Sequence, residues 1–353
     1  MSRIIILFLG IVILSCGGKK QESIIESDNA KSVIAFGSCA YQHDPQPVLA
    51  DVAALKPDAF VYLGDNIYSD TYSMDTLKKN YQILGARPEF QALKAATKIY
   101  AVWDDHDYGY NDSGRHYPFR KESKEIFLDF FGDQGDSTLT QHEGIYHTAW
   151  LEKAGRKIQL IFPDIRTFRD KLLPYNGNRK GQKGYEYELD YSPYTTSDST
   201  MLGEEQWQWL EAQLALPADV KIIASSTQFS ITHNGYEAWA NFPHEQKRLV
   251  DLIKKTNAHG VFFISGDVHY AELSKLNVEN GYPLYDVTSS GITSTWEFAT
   301  PNDNRIEGPV MENNYGLAII DWSKDDPEIT FQIHDVARKK RIDKTVKLSE
   351  LKF

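Results

Sequence analysis

Sulfur is scarce in this chain: 353 residues carry two cysteines, Cys16 and Cys39, and four methionines. Two thiols allow at most one disulfide, so a cystine framework cannot hold the fold together. Long apolar runs are lacking too. The most apolar, Ile4 to Leu14, falls short of the roughly 20 residues that cross a bilayer as a helix. No basic tract is long enough to offset a formal charge of -11. That balance excludes the basic face a polyanion demands, so no nucleic-acid-binding surface is expected. Solenoid repeats and low-complexity blocks are also missing. What remains is a chain long enough for one large core or two smaller ones.

The N-terminus reads as a targeting segment. Arg3 supplies a positive start, Ile4 to Leu14 the apolar stretch, and Ile13-Leu14-Ser15-Cys16 the pattern of a bacterial lipoprotein processing site. Residues 1–16 are therefore expected to be a signal peptide ending at a lipidated Cys16. Residues 17–31 would be a flexible tether and 32–353 a single folded domain. The expected location is the bacterial cell envelope, lipid-anchored and either periplasmic or surface exposed. With Cys16 acylated, Cys39 has no disulfide partner. It is either a buried small apolar side chain or a thiolate held by a metal.

From Ser32 onward, strand and helix patterns alternate. Val33 to Phe36, Ala59 to Leu63 and Lys98 to Val102 read as strands. Helices follow at Pro47 to Leu55, Asp75 to Leu84, Glu89 to Ala96 and Pro118 to Phe131. Such a βα rhythm implies a largely parallel sheet with helices outside. Gly144 to Trp150 and Lys157 to Phe162 form a hairpin that brings in Asp164, Arg166 and Arg169. Pro174 to Ser199 lacks periodicity and reads as a long rim loop. Beyond it come helices at Gly203 to Leu216 and Pro243 to Lys255, strands at Lys221 to Ala224 and Val261 to Ile264, and a β-rich end from Ala271 to His334. The pattern fits two packed sheets flanked by helices.

Four strand-like runs end in potential metal ligands: Gly37-Ser38-Cys39, Gly64-Asp65-Asn66-Ile67-Tyr68, Trp103-Asp104-Asp105-His106-Asp107 and Ser265-Gly266-Asp267-Val268-His269. Strand ends are where α/β enzymes keep their chemistry. Several carboxylates sharing one cleft repel one another unless cations intervene. Asp65, Asp105 and Asp267 offer hard oxygens, His269 an imidazole, Cys39 a thiolate and Tyr68 a phenolate. Free tyrosine titrates near ~10, so a strong Lewis acid such as ferric iron is needed to hold Tyr68 ionised at neutral pH.

In their order and spacing these motifs resemble the alkaline phosphatase D family of calcineurin-like metallophosphoesterases. Asp164-Ile165-Arg166-Thr167-Phe168-Arg169, Leu202-Gly203-Glu204-Glu205-Gln206-Trp207 and Tyr315-Gly316-Leu317 extend the match from about Val33 to His334. The resemblance implies an α/β four-layer sandwich of two mixed β-sheets flanked by helices. It implies hydrolysis of phosphate mono- or diesters with Fe3+ and Ca2+, through hydroxide made available by the metals; a monomer is a separate expectation. Carried over, Asp65 would bridge metals, Cys39, Tyr68 and His269 would hold the iron, and Asp105 and Asp267 would face a calcium-type position. Asn111 falls where the family places an amide near phosphate and metal, and His106 where the wider superfamily has its leaving-group acid.

Other roles stay open. Arg166 is either a grip on a phosphoryl oxygen or one half of an ion pair with Asp164 or another carboxylate. Asp104 and Asp107 read as orienting residues or helix caps. His142, His147 and His233 read first as surface or hydrogen-bonded histidines. Tyr185, Tyr187 and Tyr191 read as loop packing. Many relatives carry a twin-arginine signal and a separate N-terminal β domain. This chain has a single Arg3 and reaches its first motif soon after the tether, so export unfolded with metal uptake outside is the expectation. A phospholipase-like diesterase and a non-catalytic phosphate-binding lipoprotein are the competing readings.

Overall fold

A computed structural model describes residues 29–177 and 190–353. The signal segment 1–16 with Cys16, nearly all of the tether, and Tyr185 and Tyr187 lie outside the described residues. Among the described residues, no helix is long and apolar enough to cross a membrane.

The chain begins β1 (Lys31–Gly37), α1 (Pro47–Leu55), β2 (Ala59–Leu63), α2 (Met74–Ala86), α3 (Pro88–Ala96), β3 (Lys98–Val102), α4 (Asp105–Tyr108) and α5 (Arg120–Phe131). A hairpin of β4 (His147–Lys153) and β5 (Arg156–Phe162) comes next. Two short strands, β6 (Leu173–Pro174) and β7 (Tyr191–Ser192), then pair within the segment expected to be plain loop. There follow α6 (Glu204–Leu214), β8 (Val220–Ala224), α7 (Pro243–Lys255), β9 (Val261–Ser265), β10 (Ala271–Leu276), β11 (Leu284–Ser289), β12 (Arg305–Val310), β13 (Asn314–Asp321), β14 (Glu328–Asp335) and β15 (Lys340–Lys347).

Two mixed sheets result, with strand orders β15-β14-β13-β1-β2-β3 and β12-β10-β11-β9-β8-β5-β4. In the first, β1, β2 and β3 run parallel; in the second, β5, β8, β9 and β11 do. The apolar runs of β1, β2, β8 and β9 are buried almost throughout, as parallel strands covered on both faces must be. The sheets meet through ring contacts such as Phe262 on Phe331, with centroids 5.0 Å apart, and Tyr100 on Phe162 at 5.8 Å. Ser38 at the end of β1 forms a parallel bridge with Ser290 just past β11, which stitches the two sheets together at one pole. All the parallel strands end at that pole.

Besides the short β6 and β7, two strands of the large sheets escaped the sequence pattern, and both lie at sheet edges. β15 reads Lys-Arg-Ile-Asp-Lys-Thr-Val-Lys and buries only Ile342 and Val346. Such charge is what keeps an exposed edge from pairing with another chain. β12 contains Pro309, which an edge strand tolerates because one side of its backbone needs no partner.

His147 opens β4 fully buried, its ring 4.3 Å from that of Phe162 and nearly parallel to it. Nδ1 donates to the Ile145 carbonyl at 2.8 Å. Burial pulls its pKa down to about 4, below the unfolded value near ~6.5, so the folded state binds fewer protons between those values. Stability must then fall as pH drops from ~6.5 to ~4, and this residue's share reaches about 3 kcal/mol at the lower end. His147→Leu should flatten the stability difference between pH 7 and pH 4.5 by that order in urea titrations. An unchanged slope would contradict a buried neutral imidazole.

Candidate metal centre

The turns after the parallel strands bring the ligand-type residues together. Gly64 closes β2 at φ +91, and a Cβ there would meet Asp104 Cβ at 2.5 Å, so only glycine lets the β2 and β3 ends approach this closely. The residues that follow carry unusual backbone angles. Cys39 (φ 63), Asp65 (φ 49), Asp267 (φ 77) and His269 (φ 55) all lie in the left-handed region. Side chains enter that region at a cost of about 1 kcal/mol or more each, and such residues cluster at functional sites. Four of the six ligands expected from sequence are thus held in strained turns.

Cys39 Sγ lies 3.5 Å from Asp65 Oδ2 and 3.0 Å from Ser290 Oγ, and Tyr68 Oη lies 3.3 Å from His269 Nε2. Ser290 Oγ also accepts from the His269 N–H at 2.8 Å, tying the thiol and imidazole loops to one hydroxyl. Four groups of side chains bring ligand atoms within 4.8 Å of one another: Cys39, Asp65 and His269; Asp65, Asp105 and His106; Asp65, Asp104, Asp105 and Asp267; and Asp105, Asp112 and Glu237. Asp65 belongs to three of them.

Electrostatics at this centre are unbalanced in one direction. Asp65 and Asp267 are pushed well above the usual carboxylate range, first by burial and then by neighbouring negative groups. Burial raises Asp104 to about 7, despite Arg166. It also raises the Cys39 thiol and the Tyr68 phenol, the latter further through Cys39 and Asp65. Asp105 goes the other way: burial would raise it, but Arg166, His106 and the Asp112 N–H hold it at about 2. His269 drops to about 4 through burial and the nearby His106, which leaves a neutral ring able to ligate. Asp65 Oδ1, Asp104 Oδ2 and Asp105 Oδ1 are buried without a hydrogen-bond partner among the described residues. Orphaned anionic oxygens beside a thiol and a phenol fit cations.

His106 donates from Nδ1 to Asp70, both of whose oxygens lie 2.8 Å away, and its ring sits 4.4 Å from Tyr68. Burial opposes its protonation, yet Asp65, Asp105 and Asp70 outweigh it and lift the imidazole to about 11. Asn111 is exposed on the rim and donates its backbone N–H to Asp70 Oδ1 at 2.9 Å. Asp112, its neighbour, donates an N–H to Asp105 Oδ2 at 2.7 Å and joins the fourth group.

Arg166 takes the ion-pair role of the two open from sequence. Its guanidinium is fully buried, donates from Nε to Asp104 Oδ1 at 2.5 Å, and from Nη1 to both Glu237 oxygens at 2.7 Å. A grip on a bound phosphoryl oxygen would need solvent-side access that this packing removes. Asp164 is not its ion partner: that carboxylate accepts from Trp103 Nε1, the Ile145 N–H and Thr167. Arg169 pairs with Glu237 at 3.2 Å and donates to the carbonyls of Asp112 and Ser113. Asp107 caps the start of α4, its Oδ1 accepting the Asp104 N–H at 2.6 Å and its Oδ2 the Asn66 Nδ2 at 2.6 Å. His233 is half-buried with its pKa lowered by burial, and belongs to none of the ligand groups.

Asp70, Asp112, Glu237 and Ser290 carry no role in the sequence reading. Asp70 lies five residues after Asp65 and two past the Gly64 to Tyr68 motif, and that proximity was its one signal. Glu237 lies in a loop after β8 with no strand-end pattern, so only the fold reveals it.

Two mixed sheets packed face to face, with hard and soft ligands gathered at the ends of their parallel strands, define a metallophosphoesterase-like fold. Residues 34–305 match the sequence profile of the PhoD-like phosphatases, and the chain belongs to that family. A curated relative, alkaline phosphatase D of Bacillus subtilis (strain 168), is 23% identical over 301 residues, covering 73% of this chain. The chain spans about half, 48%, of that relative's length. A solved structure of PhoD superposes with a TM-score of 0.70 at 18% identity, covering 90% of this chain and 68% of the other. The structure titled GAP50, the anchor in the inner membrane complex of Plasmodium, gives a TM-score of 0.53 at 13% identity, covering 90% of this chain and 88% of its own. The last two likenesses speak to fold alone.

Proposed function

We propose that this protein is a metal-dependent phosphoesterase of the cell envelope, lipid-anchored through Cys16, that hydrolyses small-molecule phosphate mono- or diesters. The observation that carries the reading is the sharing of Asp65 among three ligand groups, which suits a carboxylate bridging two cations. Cys39, Tyr68 and His269, with Asp65, would hold ferric iron. Asp105 and Asp267, again with Asp65, would hold calcium, whose hard-oxygen preference they meet. When bound, the cations lower the pKa of a water to make the nucleophile and offset charge building on the phosphoryl oxygens.

The chain's own residues do the rest. Arg166 and Arg169 fix the buried carboxylates in place through Asp104 and Glu237, and so act as positioning residues. Ser290 orients Cys39 and the backbone of His269. Asp70 holds Nδ1 of His106, which leaves Nε2 to deliver a proton to the departing alkoxide. Asn111, exposed beside this pair and tied to Asp70 through its backbone N–H, would offer its amide to an incoming phosphoryl oxygen.

Purified protein supplied with iron and calcium should release product from both a p-nitrophenyl phosphate monoester and the bis-ester. Exhaustive chelation should abolish turnover, and calcium should restore it only while iron is retained. Turnover indifferent to chelation, or none with both metals present, would overturn the proposal.

A further inference from the structure

Beside the metal centre lies a cavity of about 310 Å3, at the small end of the roughly 300–1,000 Å3 typical of ligand pockets. Asp112 links the two, since it lines the cavity and joins Asp105 and Glu237 in one ligand group. Tyr72 and Tyr117 form an aromatic wall, stacked with centroids 5.5 Å apart. Tyr72 is 56% exposed and also stacks on Tyr110 at 5.5 Å. Lys171 and His116, both exposed, line the same cavity and form no ion pair among the described residues. The cavity opens on one particular side of the centre. Thr71 donates its N–H to Gly109, and Asn111 to Asp70, so Tyr72 and Tyr110 flank the Asp70–His106 pair.

Resting on the phosphoesterase reading, we infer that this cavity is the leaving-group subsite, and that it selects esters whose alcohol carries a planar ring bearing an anionic substituent. The Asp70–His106 pair sits on the side of the centre that Tyr72 and Tyr110 flank, so the leaving oxygen faces Tyr72. A ring stacks on an aromatic face, whereas an acyl chain gains little from stacked tyrosines with charged neighbours. Lys171 supplies a positive group with no carboxylate partner among the described residues, and His116 adds a ring N–H donor beside it. An anionic substituent on the ring meets that need.

The test compares 4-carboxyphenyl phosphate with its carboxamide counterpart on the metal-loaded full chain. Wild type should favour the carboxylate about three- to fivefold in kcat/KM, as a partly solvated charge pair allows. Lys171→Met should remove that preference, and Tyr72→Ala should raise KM for both esters about three- to tenfold. Lys157→Met, at the opposite pole, should keep the wild-type preference. A readout without turnover is calorimetry with 4-hydroxybenzoate, the alcohol released, which should bind wild type more tightly than Lys171→Met. Equal rates for the two esters in wild type, or equal binding by the two proteins, would overturn the subsite. A vesicle-bound phospholipid hydrolysed faster than either aryl ester would overturn it in favour of a lipid substrate. Absence of any ester turnover by the loaded wild type would instead overturn the phosphoesterase reading itself.

Discussion

Asp65→Asn should empty both metal positions at once and lower kcat/KM by at least about a thousandfold, roughly 4 kcal/mol of barrier. Asn suits the test because it enters the left-handed backbone region that Asp65 occupies more readily than most residues. The substitution separates two effects of opposite sign. Without cations, Asp65 is a buried carboxylate raised well above its usual range by burial and by Cys39, Asp105 and Asp104. Removing its charge should therefore stabilise the metal-free protein. With cations, the wild type should gain about 2.7 kcal/mol when free metal stands a hundredfold above its dissociation constant, and the variant should gain much less. Metal analysis and urea midpoints with and without iron and calcium check both signs. A variant that binds both metals as tightly as wild type would rule out a bridging carboxylate.

Arg166→Met should be the most destabilising single change near the site. The guanidinium is fully buried between Asp104 and Glu237, so its loss leaves Asp104 without a cationic partner and Glu237 with Arg169 alone. Breaking a buried pair by removing one partner costs about 3–5 kcal/mol, and here two acids share the cation. Urea midpoints of the metal-free proteins measure this directly. If Arg166 instead contacted substrate, the variant would keep wild-type stability and lose only turnover. Glu237→Gln provides a second view, because it leaves the arginines in place and removes one negative charge from the group with Asp105 and Asp112. Its expected signature is weaker calcium retention with iron content unchanged.

The metal-type residues were legible because each follows a short apolar run that a parallel sheet buries on both faces. Cys39, Asp65, Asp105 and Asp267 sit just past β1, β2, β3 and β9, and parallel strands that end at one pole must bring such residues together. Interior strands were likewise readable to within a few residues. Of the four edge strands, β3 and β4 were readable as well, whereas β12 and β15 were not, since they trade apolar pattern for charge and proline. The role of Arg166 could not be read either: its partner Glu237 lies 71 positions away, in a loop with no pattern of its own. Asp112 escaped motif spacing: it follows the exposed Asn111 and supplies the carboxylate that groups with Asp105 and Glu237.

The proposed chemistry depends on one thiolate, one phenolate, one imidazole and one carboxylate converging on a single ion. The direct measurement is an anomalous difference map collected at the iron absorption edge from crystals of metal-loaded wild type and Asp65→Asn. The account predicts a peak enclosed by Cys39 Sγ, Tyr68 Oη, His269 Nε2 and an Asp65 oxygen in wild type, and its loss in the variant. Iron density elsewhere, or none at this position in a protein that turns over phosphate esters, would contradict it.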